Sequence, residues 1–289
     1  MLKIYDRQQK VVVEVAEYQA NLLQQLYGTK WGKYLQPLVT SQWFSKLLSW
    51  QDYTPLSEQK IASFVNHYEI ELEDYTQQQF KNFAEFFTRR LKVGQRPLSP
   101  PGTVLAVADA KLSVFPITES ASFNIKGQMY QLSELLVESR FSKLFMGGTL
   151  CVYRLGVEDY HRYVASETGR ICHRASINGK LHTVRDIALK RVPVFKENHR
   201  EYCILEHKAL GSVMQMEVGA LTVGKIHNYS GRFLYRGIEK GYFSLGGSTI
   251  LVAYQSGRIV IDEDIVEMSQ AGIECQVSLG ERVGSYNVK

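Results

Sequence analysis

Close to the C-terminus the chain reads Tyr242-Phe243-Ser244-Leu245-Gly246-Gly247-Ser248-Thr249-Ile250, two glycines leading into a Ser-Thr pair between β-type apolar residues. A serine hydroxyl can attack the carbonyl that precedes it, an N-to-O acyl shift that turns the peptide bond into an ester. That step needs a peptide held out of its relaxed geometry and a base for the hydroxyl proton. Glycines supply the backbone conformations other residues resist, and they let the oxygen approach closely. Elimination from the ester cuts the chain, and hydrolysis of the resulting dehydroalanine leaves a pyruvoyl group, whose ketone can take up an amine and act as an electron sink. The competing reading is a Gly-Gly hairpin turn between two strands.

Two other places carry groups that could serve such chemistry. Glu158-Asp159-Tyr160-His161-Arg162-Tyr163 follows the apolar run Cys151-Val152-Tyr153-Arg154-Leu155, and a histidine at a strand exit can act as general base or acid. The alternative is a surface histidine on a polar loop. No partner stands at metal-ligand spacing from His161, so no metal is expected. Asp109, in Val107-Ala108-Asp109-Ala110, ends another apolar run and could orient a histidine. An aspartate in that place is also a common turn residue.

The elements that must position these residues divide the chain in two. Residues 1–95 read as a helical section: Leu22, Leu23, Leu26 and Tyr27 recur at helical spacing, and Pro37 and Pro55 punctuate the run. Trp31, Trp43 and Trp50 all fall here among Lys30, Lys33 and Lys46, a mixture suited to a membrane–water boundary or to a helical cap packed on the rest of the protein. A further helix is expected over residues 76–91, with Phe80, Phe83 and Phe87 on one face. A Pro/Gly linker follows, and residues 96–289 turn to short β-rich runs separated by turns. The expected fold is α+β, with a helical N-terminal, membrane-associating section before a mostly antiparallel β-sandwich or barrel-like catalytic core.

Composition sets the outer limits. The 289 residues carry a formal charge of +5, with lysines and arginines spread along the chain, which argues against nucleic acid and leaves an anionic membrane surface open. Four cysteines without C-x-x-C spacing read as reduced residues of a cytoplasmic protein. The N-terminus has no signal-peptide core, and no apolar run is long enough to span a bilayer, so any membrane work is expected to be peripheral.

The order of the short motifs resembles the phosphatidylserine decarboxylase proenzyme family over most of the chain. The matching pieces run from Phe86-Phe87-Thr88-Arg89-Arg90-Leu91-Lys92 and Arg96-Pro97-Leu98, through Ala108-Asp109, Ile125-Lys126-Gly127 and Asp159-Tyr160-His161-Arg162. They continue with His182-Thr183-Val184, Pro193-Val194-Phe195, Glu197-Asn198 and Glu217-Val218-Gly219-Ala220, and close on Gly246-Gly247-Ser248-Thr249. The resemblance implies self-cleavage between Gly247 and Ser248, a pyruvoyl cofactor made from Ser248, and roles for Asp109, His161 and Ser248. It implies phosphatidylserine in anionic membranes as substrate, a small chain held by the large one, and a homodimer.

The family pattern places a second histidine three residues after the first and assigns it self-cleavage; here that residue is Val164, and Ala110 stands where a glycine is common. Three routes stay open: His161 serves both steps, which is the favoured reading; another histidine such as His182 approaches; or the chain matures slowly or not at all. Two rival functions follow, a pyruvoyl decarboxylase of a soluble amino acid and an uncleaved, catalytically silent relative that binds lipid or protein.

Overall fold

A computed structural model describes residues 2–15, 20–221 and 225–287. Its centre is a ten-stranded sheet. In spatial order the strands are Phe233–Leu234, Gly169–Ile177, Arg200–His207, Gly211–Gly219, Ser248–Tyr254, Thr149–Leu155, Ala110–Pro116, Glu274–Val277, Leu2–Asp6 and Val11–Val15. Every pairing in it is antiparallel except that of Leu2–Asp6 with Glu274–Val277. The sheet stays open and does not close into a barrel.

Strand periodicity explains the two cores. Ile250, Val252 and Tyr254 alternate with Leu251 and Ala253, and all five are buried because both faces of the central strands are covered. The first set packs under a three-stranded sheet of Lys225–Asn228, Glu239–Ser244 and Arg162–Val164, joining Tyr163 and Phe243. The second set packs under short helices and the hairpin of Ser122–Ile125 and Gln128–Gln131, against Leu132, Leu189 and Phe195. The result is α+β, as the sequence pattern predicts, with a sandwich only where the small sheet lies over the large one.

Two expectations are revised. Residues 2–15 are not helical: Leu2–Asp6 and Val11–Val15 are strands, and the first pairs with Glu274–Val277 near the other terminus. The helix expected over residues 76–91 shrinks to Phe83–Phe87, because Asn82 caps the Glu85 amide and Thr88 closes the turn onto Ala84. Residues on either side instead bond across a gap, Thr76 N–H to Arg90 O and Lys92 N–H to Asp74 O. The aromatic face divides accordingly, with Phe80 and Phe86 in one small cluster and Phe87 in another with Leu245. All four cysteines are free thiols and, as their spacing suggests, mostly in the core, with Cys151, Cys203 and Cys275 buried and Cys172 exposed.

The tryptophan-bearing helices, Lys30–Val39 and Gln42–Ser49, begin at side-chain caps from Thr29 and Ser41. Their polarity is inverted. The buried residues are Gly32, Ser45 and Ser49, whereas Trp31 is 82% exposed and Trp43 and Trp50 are each 67% exposed. Tyr34, Leu35, Leu38, Leu47, Leu48 and Leu56 extend the same outward apolar surface. A helix packed as a simple cap would bury these side chains, each worth about 1.5–3 kcal/mol on burial.

Candidate active site

The strands on either side of the Gly-Gly pair belong to different sheets. Glu239–Ser244 pairs with Lys225–Asn228 and Arg162–Val164, while Ser248–Tyr254 pairs with Gly211–Gly219 and Thr149–Leu155. Residues 245–247 therefore cross from one layer to the other, which rules out the hairpin reading. The crossing is made with Leu245 at φ 43° and Gly246 at φ 82°. Leucine in the left-handed region stores backbone strain that its burial against Ala84 and Phe87 must offset. An added Cβ at Gly247 would meet only ordinary contacts, with Leu155 O and Val184 Cγ2 each at 3.7 Å.

Ser248 is fully buried, faces the core shared with the small sheet, and its hydroxyl has no hydrogen-bond partner. A buried hydroxyl left unpaired costs about 1–3 kcal/mol, which evolution tolerates at sites that use the group. Ser248 lies opposite Leu155 in the adjoining strand. The next residue, Gly156, presents its carbonyl to His161 Nε2 at 2.8 Å. His161 is held from the other side as well: its carbonyl accepts the Phe243 N–H at 3.0 Å, and its ring stacks on Phe87 with centroids 4.1 Å apart. Phe87 in turn packs on Leu245. The structure thus brings His161 and the Ser248 segment together through contacts on both sides of the crossing.

A carbonyl can only accept, so His161 Nε2 carries the proton and Nδ1 a bare lone pair. That Nδ1 is buried without a partner. Burial, and secondarily the Arg89 guanidinium, push the imidazole down to about 3, so it is neutral over the whole physiological range. The site therefore contains an unpaired hydroxyl and a neutral imidazole with a free nitrogen, the two groups that proton abstraction from a serine employs once they come within hydrogen-bond reach; they are not bonded to each other in this structure.

Asp109 is placed differently. Its carboxylate accepts two hydrogen bonds from Arg96 Nε, at 3.0 and 3.2 Å, and one from Nη2 at 2.8 Å, and it accepts the Leu279 N–H at 2.7 Å. No histidine is among its partners in the described residues. The strand it leads into, Ala110–Pro116, lies two positions from that of Ser248, roughly 10 Å at the usual strand spacing. Val164, where the family pattern has a second histidine, is buried and donates its N–H to Val107 O, two residues before Asp109. A histidine there would stand beside the Asp109 segment; valine has no proton to exchange. His182 has both ring nitrogens engaged, Nδ1 with Tyr27 Oη and Nε2 with Glu197, each at 3.2 Å.

Sequence reasoning left several supporting residues without a role. Phe87 and Arg96 lie within recognisable motifs, but stacking on His161 and clamping of Asp109 are long-range contacts. Arg162 donates to the carbonyls of Thr88 and Arg89 and pairs with Glu239, fixing the Phe87 helix over the histidine. Arg154, opposite Thr249, pairs with Glu274; burial opposes that carboxylate's charge, but Arg154 outweighs it and holds the group down to about 2.

A cavity of about 420 Å³ lies between the tryptophan-bearing helices and the core, lined on one side by Ser45, Lys46 and Trp50 and on the other by His199, Glu201, Lys225 and Ser244. Ser244 is the last strand residue before the crossing segment, so the cavity abuts it.

The profile of the phosphatidylserine decarboxylase family matches residues 83–285, more than two thirds of the chain. Phosphatidylserine decarboxylase proenzyme 2 of Clostridium acetobutylicum is 39% identical over 288 residues, covering 99% of each chain. The phosphatidylserine decarboxylase proenzymes of Clostridium novyi and Clostridium tetani are 34% and 33% identical, each covering at least 98% of both chains. With Ser248, His161 and Asp109 in the folded framework described above, the chain belongs to the phosphatidylserine decarboxylase family.

Proposed function

We propose that this chain is a phosphatidylserine decarboxylase made as a proenzyme that cleaves itself between Gly247 and Ser248. The observation that carries the proposal is the fully buried, unpartnered Ser248 hydroxyl at a strained crossing, with His161, whose Nδ1 is bare, tied through Gly156 and Phe243 to the strands on either side. In maturation Ser248 Oγ attacks the Gly247 carbonyl carbon, its proton passing to His161 Nδ1, and the Gly247–Ser248 C–N bond breaks as the ester forms. Loss of the residue 248 Cα proton then breaks the ester C–O bond, leaving Gly247 with a free carboxylate and a dehydroalanine at 248. Water converts the latter to a pyruvoyl group with release of ammonia.

The residues present fit that group: the orphaned Ser248 side chain lies at the junction, and His161 is tied to the strand opposite. When formed, the pyruvoyl ketone supplies the electron sink that lets an amino acid lose its carboxylate as carbon dioxide. His161 is then the group proposed to deliver a proton to the substrate carbon that has lost the carboxylate. The cavity beside Ser244 is of ligand size, and Lys46 and Lys225 give opposite walls a positive charge suited to a phosphodiester. The small chain would stay bound, since Ser248–Tyr254 and Glu274–Val277 are each paired on both edges by strands of the large chain.

Intact mass analysis of freshly purified protein tests this reading. Two fragments are expected, the lighter with a blocked, ketone-bearing end that borohydride fixes to an added amine. A single species at 33.0 kDa would instead favour an uncleaved lipid-binding relative, the reading that Val164 supports. Activity on a free amino acid with none on lipid vesicles would favour the soluble-substrate rival.

No helix among the described residues is long and apolar enough to cross a membrane. The outward tryptophans and leucines support peripheral attachment instead. Joint replacement of Trp31, Trp43 and Trp50 by alanine is expected to weaken co-sedimentation with phosphatidylserine-containing vesicles at least about tenfold, while leaving the chain folded. Binding as tight as that of the parent protein would remove these helices from membrane attachment.

A further inference from the structure

Lys111 lies in the strand Ala110–Pro116, and its side chain is almost fully buried, a place lysine occupies only when paired. Its ammonium donates to Asp159 Oδ1 at 2.9 Å, to Asp159 Oδ2 at 2.8 Å and to Glu158 Oε1 at 2.5 Å. An ammonium has three N–H donors, and the three bonds account for all of them. Burial opposes the charge on Lys111, yet Asp159 and then Glu158 outweigh it and keep its pKa above the ordinary lysine value.

The two carboxylates do not end with the lysine. Asp159 Oδ2 also accepts the Gly156 N–H at 2.6 Å, and the Gly156 carbonyl accepts the His161 Nε2 proton at 2.8 Å. Gly156 is pinned at both of its backbone polar groups. A Cβ at Gly156 would lie 2.3 to 2.5 Å from the Glu158 carboxylate folded over it, so a larger residue there would push that carboxylate aside. Neighbouring carboxylates at 158 and 159 repel each other, and Lys111 is the cation that draws both toward the Gly156 turn.

We propose that Lys111 is a positioning residue for His161: by holding Asp159 and Glu158 over Gly156, it aims the Gly156 carbonyl at Nε2 and so keeps the imidazole in the tautomer that leaves Nδ1 free. Without the cation the carboxylates separate, the Gly156 carbonyl loses its direction, and the ring can present either nitrogen. The catalytic consequence rests on the role proposed above for His161; the effect on the tautomer does not.

The test uses full-length protein labelled with [15N]histidine. Long-range proton–nitrogen spectra are recorded in a Ser248→Ala background, which keeps the chain continuous, with His161 assigned by its loss in a His161→Ala variant. The parent is expected to show His161 as the Nε2–H tautomer alone. Lys111→Met is expected to give a mixture of tautomers and, in the cleavable chain, to lower kcat of the matured fraction at least tenfold with KM within threefold.

Glu158→Gln, at a partly exposed position, serves should Lys111→Met fail to fold. It is expected to produce a smaller fraction of the Nδ1–H form and a loss of about threefold in kcat. A pure Nε2–H tautomer in every folded variant, or a lowered melting temperature with unchanged tautomer and kcat, would overturn the proposal. A protein without decarboxylase activity whose His161 tautomer still depends on Lys111 would sink the proposed function and leave this inference standing.

Discussion

Ser248→Ala is expected to leave one chain of 33.0 kDa with no measurable decarboxylase activity, a loss of about 10⁴-fold or more, as when an enzyme loses its nucleophile. Its stability is expected to move the other way. The hydroxyl is buried with no partner, so its removal deletes a polar group that gains nothing from folding. Relief of about 1 kcal/mol corresponds to a rise of about 2–4 °C in melting temperature for a chain of this size. This opposition separates a reactive serine from a structural one, since a serine serving the fold would lose stability together with function. Thermal unfolding and mass analysis of the same preparation check both halves. Splitting of the alanine variant at the same bond would exclude Ser248 as the attacking group.

The chemistry was more legible in the sequence than the scaffold. Gly246-Gly247-Ser248-Thr249 shows its composition openly, and the flanking β-type residues locate it between strands. That those strands belong to different sheets is decided by pairings with residues 155, 219 and 226, which no local pattern contains. The same limit accounts for the helix expected over residues 76–91. The phenylalanine spacing is helical, but Asp74, Thr76, Arg90 and Lys92 find backbone partners across the segment, and a helix would give those up.

Val11-Val12-Val13-Glu14-Val15 has the β-branched composition of a strand, and its place at the sheet edge depends on Leu2–Asp6 meeting a strand more than 260 residues away. Asp109 shows how residue type can exceed geometry. It reads as an orienter of histidine, whereas the fold commits it to Arg96 and the Leu279 amide. With Val164 beside that segment, an aspartate–histidine pair has no imidazole to complete it there, and the burden of proton transfer shifts toward His161.

His161→Ala accordingly carries the second large expected effect, a fall of about 10²–10⁴-fold in decarboxylation by the matured fraction, the usual contribution of a positioned acid or base. Splitting should slow as well, because Nδ1 is the free nitrogen of a ring whose Nε2 is tied to Gly156, the neighbour of the residue opposite Ser248. A denaturing gel over time reads the second effect, and normal splitting would remove His161 from maturation.

The pH dependence offers an independent check. The folded imidazole titrates near 3, against about 6.5 in an unfolded chain. Between those values the unfolded chain binds a proton that the folded chain refuses, so stability falls as pH drops from 6.5 toward 3. His161→Ala removes that slope, and its stability should therefore decline less steeply than the parent's over the same interval. The parent's kcat should in turn show no inflection near pH 6.5 from this group. An inflection there that His161→Ala abolishes would mean that the working imidazole is far more exposed to water than the buried ring stacked on Phe87.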